Sequence, residues 1–289
     1  MGIVKVREKS IIKKKEPIRT GTSYSLPTSL SVPIEDLGGY TILIYGKKKI
    51  GKTTLASMFS NSGRKVMFLF FEPGGKALSL YQESMSSWKK FTRFVQLLSQ
   101  DKTFGTVVID TADYAYDDCL TDVCLNMGIE HPADSAYGKG WNAVKTEFTK
   151  QIRLLLKSGK GIIFISHQKE VEVEERNGKT YDKTTNTLSS QAREVIEGIV
   201  DIWANYDYEE NERVLTILGS KEVDAGHRLK KRFRYTDGKP IRKISMGKSE
   251  EEAYSNFLSA FNNKLINKEG EKNEVIIKKK SVLNKFKKR

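Results

Sequence analysis

Apolar and polar residues alternate along the chain in runs that predict strands and helices by turns. From residue 41 onward, short apolar runs rich in Val, Ile and Phe are each followed by a stretch with helical spacing. We predict strands at 41–45, 66–71, 106–110, 161–165 and 199–206, and helices at 52–60, 76–83, 113–126, 140–157 and 191–198. This pattern predicts an α/β fold, a mostly parallel sheet flanked by helices.

Outside this alternating region the pattern changes. Residues 1–37 are basic and then rich in Ser, Thr and Pro, which predicts an N-terminal arm before a main domain at 38–248. That domain ends in a predicted antiparallel extension, with strands at 213–218 and 231–235. An amphipathic helix at 249–265 and a basic tail at 266–289 complete the predicted organisation. Two polar segments, 127–140 and 169–190, are predicted loops near the sheet end that carries the candidate chemistry, where long loops are often functional.

The charge is concentrated in the two ends. The formal net charge is +14, and residues 1–20 and 261–289 supply +5 and +7 of it. Basic arms on a nearly neutral body indicate a polyanionic partner, most simply nucleic acid. The alternative is that these arms only keep the protein soluble.

Composition restricts where the protein acts. No apolar run approaches the ~20 residues needed to cross a bilayer, and no secretory signal is present. The two cysteines, Cys119 and Cys124, fall on different faces of a predicted helix, which is typical of reduced core thiols. We expect a cytoplasmic protein without a membrane partner, acting in the host cytoplasm if it is phage-encoded.

The most specific motif follows the first predicted strand. It matches G-x-x-x-x-G-K-[ST], a phosphate-binding loop between a strand and a helix, and comprises Gly46, Lys47, Lys48, Lys49, Ile50, Gly51, Lys52, Thr53 and Thr54. The glycines let backbone N–H groups surround a phosphate, Lys52 can reach the β- and γ-phosphates, and the Thr53 hydroxyl can bind Mg²⁺. The motif predicts ATP and Mg²⁺ as cofactors. No Asn-Lys-x-Asp sequence is present, so a guanine-specific enzyme is disfavoured.

Carboxylates at two other strand ends complete the candidate site. Asp110 ends an apolar strand, where a carboxylate can hold Mg²⁺ opposite Thr53. Thr111 follows it, so enzymes whose catalytic base comes directly after this aspartate are disfavoured. Glu72 is the candidate base, because a sheet ordered 5-1-4-3-2 would bring it into the same crevice. Asp113 is the reserve candidate, and an ordinary turn residue is the alternative for Glu72.

Two further residues are candidates for coupling and for action between subunits. His167 ends the 161–165 strand, which that order places beside the phosphate loop, so it could sense the γ-phosphate. A structural role is the alternative. Arg228 could act as an arginine finger on a neighbouring subunit, although basic runs are usually solvated.

Taken together, these motifs resemble the RecA-type ATPase core, and more narrowly the phage-encoded nucleotide-binding AAA-domain proteins. The resemblance covers about residues 38–232. It is carried by 46–53, Phe70-Phe-Glu72, Val107-Val-Ile-Asp110, Tyr137-Gly-Lys-Gly-Trp141 and the stretch 163–181. It implies that Glu72 is the catalytic glutamate, that His167 is the γ-phosphate sensor, and that segments 127–140 and 169–190 face DNA in an oligomer.

We therefore expect an Mg²⁺-dependent ATPase that acts on single-stranded DNA in binding, annealing or recombination, and that forms a homo-oligomer. One alternative is a nucleotide-dependent binding or assembly factor with little turnover. Another is a small-molecule phosphotransferase in which 127–140 is a substrate lid.

Overall fold

The computed structural model describes residues 26–267. The chain divides into two units, residues 1–33 and 34–289, and the described part of the first, 26–33, has no helix or strand. Most of the predicted N-terminal arm and basic tail lies outside the described residues. The domain boundaries stay a prediction.

The second unit alternates strands and helices. Its strands are β1 (Thr41–Gly46), β2 (Lys65–Phe70), β3 (Tyr81–Ser84), β4 (Phe104–Asp110), β5 (Gly161–Glu174), β6 (Thr180–Asn186), β7 (Ile202–Glu209), β8 (Glu212–Thr216), β9 (Gly226–His227) and β10 (Lys243–Ser245). Its α-helices are α1 (Lys52–Ser57), α2 (Trp88–Gln100), α3 (Ala112–Met127), α4 (Lys139–Lys157), α5 (Ser190–Ile199) and α6 (Glu250–Phe261). Short 3₁₀ helices occupy Leu37–Gly39, Pro132–Asp134 and Ala136–Gly138.

The sheet is mostly parallel, and its strand order is β10-β8-β7-β1-β5-β4-β2-β3. The five predicted core strands, numbered in chain order, therefore lie in the predicted order 5-1-4-3-2. The antiparallel extension exists, but β8 pairs with β10. The strand predicted at 231–235 is wrong, because Phe233 lies in a turn with φ of 57° and is buried in the core.

Both faces of the sheet are covered by other elements. Successive side chains of a strand point to opposite faces, so the continuous apolar runs of these strands place apolar side chains on both. On β1, Leu43 packs against the side that bears α2, α3, α4 and α5. Its neighbours Ile42 and Ile44 pack against the opposite side, where α1, α6 and the segment before α6 lie. The sheet is thus the middle of three layers, and its strand ends are free to carry a site.

Two segments differ from their predictions. The helix predicted at 76–83 is wrong, since Tyr81–Ser84 pairs with β2 as a parallel edge strand. The segment predicted as a loop at 169–190 forms a hairpin instead, because β5 continues to Glu174 and pairs antiparallel with β6. Within residues 26–267, no helix combines the length and apolar character needed to cross a bilayer.

Candidate active site

The phosphate loop, residues 46–54, joins β1 to α1 at the carboxyl end of the sheet. Gly46 pairs with Tyr206 of β7, and a Cβ atom on Gly46 would stand 1.9 Å from the Tyr206 carbonyl oxygen. Gly51 has φ of 106°, a conformation that residues with a side chain rarely adopt. Both glycines are therefore required by the backbone.

Lys52 begins α1, and its side chain folds back along the loop. Its Nζ donates to the carbonyl oxygens of Gly46, at 2.9 Å, and of Lys47, at 2.8 Å. Burial lowers the pKa of Lys52 to about 8, and the nearby charge of Asp110 opposes that shift. The ammonium group is thus held within the loop, next to the backbone that would surround a phosphate.

Thr53 and Asp110 meet beside it. The Thr53 hydroxyl donates to Asp110 Oδ2 at 2.8 Å, and Asp110 is only 3% exposed. Burial raises the pKa of Asp110 to about 6, and the hydrogen bond from Thr53 opposes that shift. A hydroxyl and a carboxylate in contact form a pair of hard oxygen donors, which fits Mg²⁺.

Glu72 and His167 face each other across the same space. His167 Nε2 lies 3.4 Å from each carboxylate oxygen of Glu72. The hydrogen bond from His167 holds the pKa of Glu72 below its usual range, against the effect of burial. Because an ionised carboxylate only accepts, Nε2 carries the proton in this pair.

These side chains line one cavity of about 410 Å³. The predicted site residues on its wall are Lys48, Lys49, Gly51, Lys52, Thr53, Thr54, Glu72, Asp110 and His167. Ile50 is buried in the core below the loop, and Lys47 turns away toward Asp207. The strand ends predicted to share a crevice are brought together.

Two candidates lie apart from this cavity. Asp113 is engaged by Thr187, whose hydroxyl donates to Asp113 Oδ1 at 2.6 Å. Arg228 lies at the amino end of β7, where its backbone N–H donates to the carbonyl oxygen of Asp201 at 3.0 Å. The structure therefore does not bring Arg228 to the phosphate loop of its own chain.

Sequence reasoning missed one group beside the loop. Gln168 Nε2 donates to Asp207 Oδ2 at 2.9 Å, and Asn205 Nδ2 donates to Gln168 Oε1 at 3.3 Å. Asp207 Oδ1 lies 3.1 Å from Lys47 Nζ. Asn205 and Asp207 belong to no motif, and only their position near the end of a strand could have indicated them.

The strand order, the phosphate loop and the strand-end aspartate define the class, a nucleotide-binding P-loop protein with a RecA-like core. A family model described as "AAA domain" matches residues 38–229. The chain belongs to this AAA domain family.

Two individual proteins are also similar to this chain. The chain is 25% identical over 215 residues to the SPbeta prophage-derived uncharacterized protein YorG of Bacillus subtilis (strain 168). That match covers 72% of this chain and 64% of YorG, so the chain spans less than two thirds of its curated relative. A crystal structure of a KaiC-like protein from Pyrococcus horikoshii OT3 aligns with a TM-score of 0.43 and 15% identity. That alignment covers 74% of this chain and 87% of the archaeal one.

Proposed function

We propose that the protein is an Mg²⁺-dependent ATPase that binds single-stranded DNA as a homo-oligomer. One observation carries the ATPase part: a single cavity is lined by Lys52, Thr53, Asp110, Glu72 and His167. A lysine for phosphate, two oxygens for a metal and an ionised carboxylate for water are the parts that phosphoryl transfer to water needs.

Each side chain has a defined task in this proposal. The phosphate loop and Lys52 bind the β- and γ-phosphates. Thr53 and Asp110 hold Mg²⁺, which when bound supplies positive charge to the phosphate oxygens. Glu72 accepts a hydrogen bond from the attacking water and orients it toward the γ-phosphate. His167 donates to Glu72 and connects that carboxylate to the start of the β5–β6 hairpin.

Substitution of Glu72 by Gln tests the hydrolytic role. The amide keeps the shape but is a much poorer base, so kcat should fall at least about 100-fold while the Kd for ATP stays nearly constant. Unchanged hydrolysis would make the assignment of Glu72 wrong. A wild-type protein that binds ATP but shows no turnover, with or without DNA, would favour the binding or assembly factor. Turnover that needs a small-molecule acceptor and ignores DNA would favour the phosphotransferase.

A tyrosine supports the DNA part of the proposal. Tyr137 is 99% exposed and has φ of 56°, within the segment 127–140. Contacts within the segment hold its backbone in place: Gly140 packs on Pro132, and the His131 side chain accepts from the backbone N–H of Ala133. An exposed aromatic ring held by a braced turn is suited to stacking on an unpaired base, and a strained backbone is found more often at functional positions.

The two DNA contributions can be measured separately. Removing residues 1–20 and 265–289 should flatten the dependence of DNA affinity on salt, because basic segments displace counterions. Tyr137→Gly should weaken DNA binding about tenfold without changing that slope. It should also raise the melting temperature, because glycine tolerates a positive φ. Tyr137→Phe keeps the ring and should bind like the wild type. Equal affinity of the Gly and Phe variants would refute the stacking role.

Arg228 is the candidate for action between subunits. Its distance from its own phosphate loop supports contact with a neighbour's nucleotide. Mixing Arg228→Ala subunits with Lys52→Ala subunits should restore part of the ATPase activity that each lacks alone, and the oligomeric mass should be measured beside it. No activity in any mixture would leave Arg228 as a surface residue.

A further inference from the structure

The carboxyl ends of β5, β1 and β7 lie side by side. Gly46 of β1 pairs with His167 of β5 on one side and with Tyr206 of β7 on the other. Strand β1 stops at Gly46, whereas β5 and β7 continue. A gap therefore opens between β5 and β7 at the point where the phosphate loop begins.

Three polar side chains close this gap. Asp207 accepts from Gln168 across it, and the buried Asn205 donates to the other end of the Gln168 amide. Gln168 is thus held by a donor and an acceptor, which fixes the orientation of its amide. The second oxygen of Asp207 accepts from the N–H of Tyr208 at 2.7 Å, so the carboxylate is also fixed to its own strand.

Lys47 connects this bridge to the phosphate loop. Its Nζ lies 3.1 Å from Asp207 Oδ1. The carbonyl oxygen of the same residue is one of the two that Lys52 contacts. A shift of Lys47 would therefore move an acceptor of the lysine that is proposed to bind phosphate.

We propose that Asp207 is a positioning residue that clamps the first turn of the phosphate loop, through Lys47, to the base of the β5–β6 hairpin, through Gln168. This inference rests on the proposed ATPase function and deepens it. Asp207 does not line the cavity at the phosphate loop. Its role is to make the position of the loop and the position of the hairpin depend on each other.

The test measures the Kd of a fluorescent ATP analogue with Mg²⁺ in a set of variants of the full chain. Asp207→Ala should raise Kd about fivefold, because the hydrogen bond from Gln168 and the ion pair with Lys47 are both lost. Lys47→Met and Gln168→Leu should each raise Kd about two- to threefold in the wild-type background. Both should have little further effect in the Asp207→Ala background, since residues of one network are not additive. Asp207→Asn keeps an acceptor for Gln168 and should restore part of the affinity.

Hydrogen exchange gives a second readout that a purely structural role would not change. Nucleotide should slow exchange across residues 168–186 in the wild type and much less in Asp207→Ala. Glu209→Ala is the matched control, because it removes a carboxylate two residues along β7 that pairs with Lys243 instead. The melting temperature of each variant shows that it is folded.

The outcomes separate this inference from the proposed function. A wild-type protein that binds no nucleotide would overturn both. Wild-type binding with an unaffected Asp207→Ala variant would overturn the clamp alone. Full effects of Lys47→Met and Gln168→Leu in the Asp207→Ala background would also overturn it.

Discussion

Two aspartates, the buried Asp110 and the half-buried Asp224, have opposite electrostatic environments. Asp224 lies before β9 and accepts from Lys183 and Thr185 at 2.7 Å and from Arg193 at 2.9 Å. Burial would raise its pKa, but these hydrogen bonds outweigh burial and hold the pKa below its usual range. Asp110 has one short hydrogen bond, from Thr53, and burial raises its pKa to about 6.

The difference distinguishes a carboxylate whose charge is paired within the fold from one whose charge remains available to a bound cation. The Asp224 carboxylate is fully paired by the fold, so its ionised form stabilises the native state. Asp110 is kept short of partners, so its ionised form costs stability until a cation is bound. A buried carboxylate with too few partners is therefore the better indicator of a site.

The largest expected effect comes from substituting Asp110, the aspartate proposed to bind Mg²⁺. Asp110→Asn removes the charge proposed to hold Mg²⁺, and Mg²⁺-dependent ATP hydrolysis should fall at least about 100-fold. A steady-state ATPase assay at several Mg²⁺ concentrations measures this. Activity within a few fold of wild type would show that Asp110 is not a metal ligand.

The next largest effect is on stability and comes from substituting Asp224, the aspartate that is paired within the fold. Asp224→Ala leaves Arg193 and Lys183 without their shared partner, and removing one member of a buried pair costs about 3 kcal/mol. Both cations are partly exposed, so the expected loss in free energy of unfolding is about 2 kcal/mol. Urea denaturation gives the value. A loss as small as that of an exposed ion pair would contradict the comparison.

The two aspartates should also give stability changes of opposite sign with pH. Asp110 has a native pKa of about 6 against an ordinary value of 3.8, so its ionised form destabilises the protein above pH 6. Relative to Asp110→Asn, the wild type should be less stable by about 3 kcal/mol at pH 7.5, and the gap should close as pH falls from 6 to 4. Asp224 behaves in reverse, since its stabilisation is lost only as pH falls below 3.8. Thermal melts of wild type, Asp110→Asn and Asp224→Ala, extended from pH 7.5 to about pH 3, measure both effects; parallel curves would refute the assignment.

The smallest effect provides the baseline. Lys243 and Glu209 form an ion pair in which both side chains are about half exposed. Lys243→Ala should change the free energy of unfolding by less than about 0.5 kcal/mol. A cost equal to that of Asp224→Ala would mean that burial does not explain the comparison.

Sequence alone predicted the core strand order and the meeting of Glu72, Asp110 and His167, because strand ends in a parallel sheet converge. It failed where pairing overrides local pattern. Residues 81–84 have no strong β signal and become a strand by pairing with β2. Helix α2 was missed, although Trp88, Phe91, Val95 and Leu98 follow helical spacing and Ser87 caps the helix.

The remaining misses were of two kinds. The β5–β6 hairpin had a readable signal, since Val171 to Glu174 alternate and Asn177-Gly178 is a turn dipeptide. The Gln168–Asp207 contact had none. It depends on where β1 stops relative to its neighbours, which is a property of register and not of any short motif.

Gly46 is the first residue of the phosphate-binding motif, yet its lack of a side chain is required by β7, whose Tyr206 carbonyl would lie 1.9 Å from a Cβ atom. Gly46 is therefore required by the packing of the sheet, whereas Lys52 is required by the nucleotide. A descendant of this chain that lost nucleotide binding would be free to replace Lys52, but would still need glycine at position 46 to keep β1 paired with β7. Glycine at position 46 therefore indicates that the fold is retained, whereas lysine at position 52 indicates that nucleotide binding is retained.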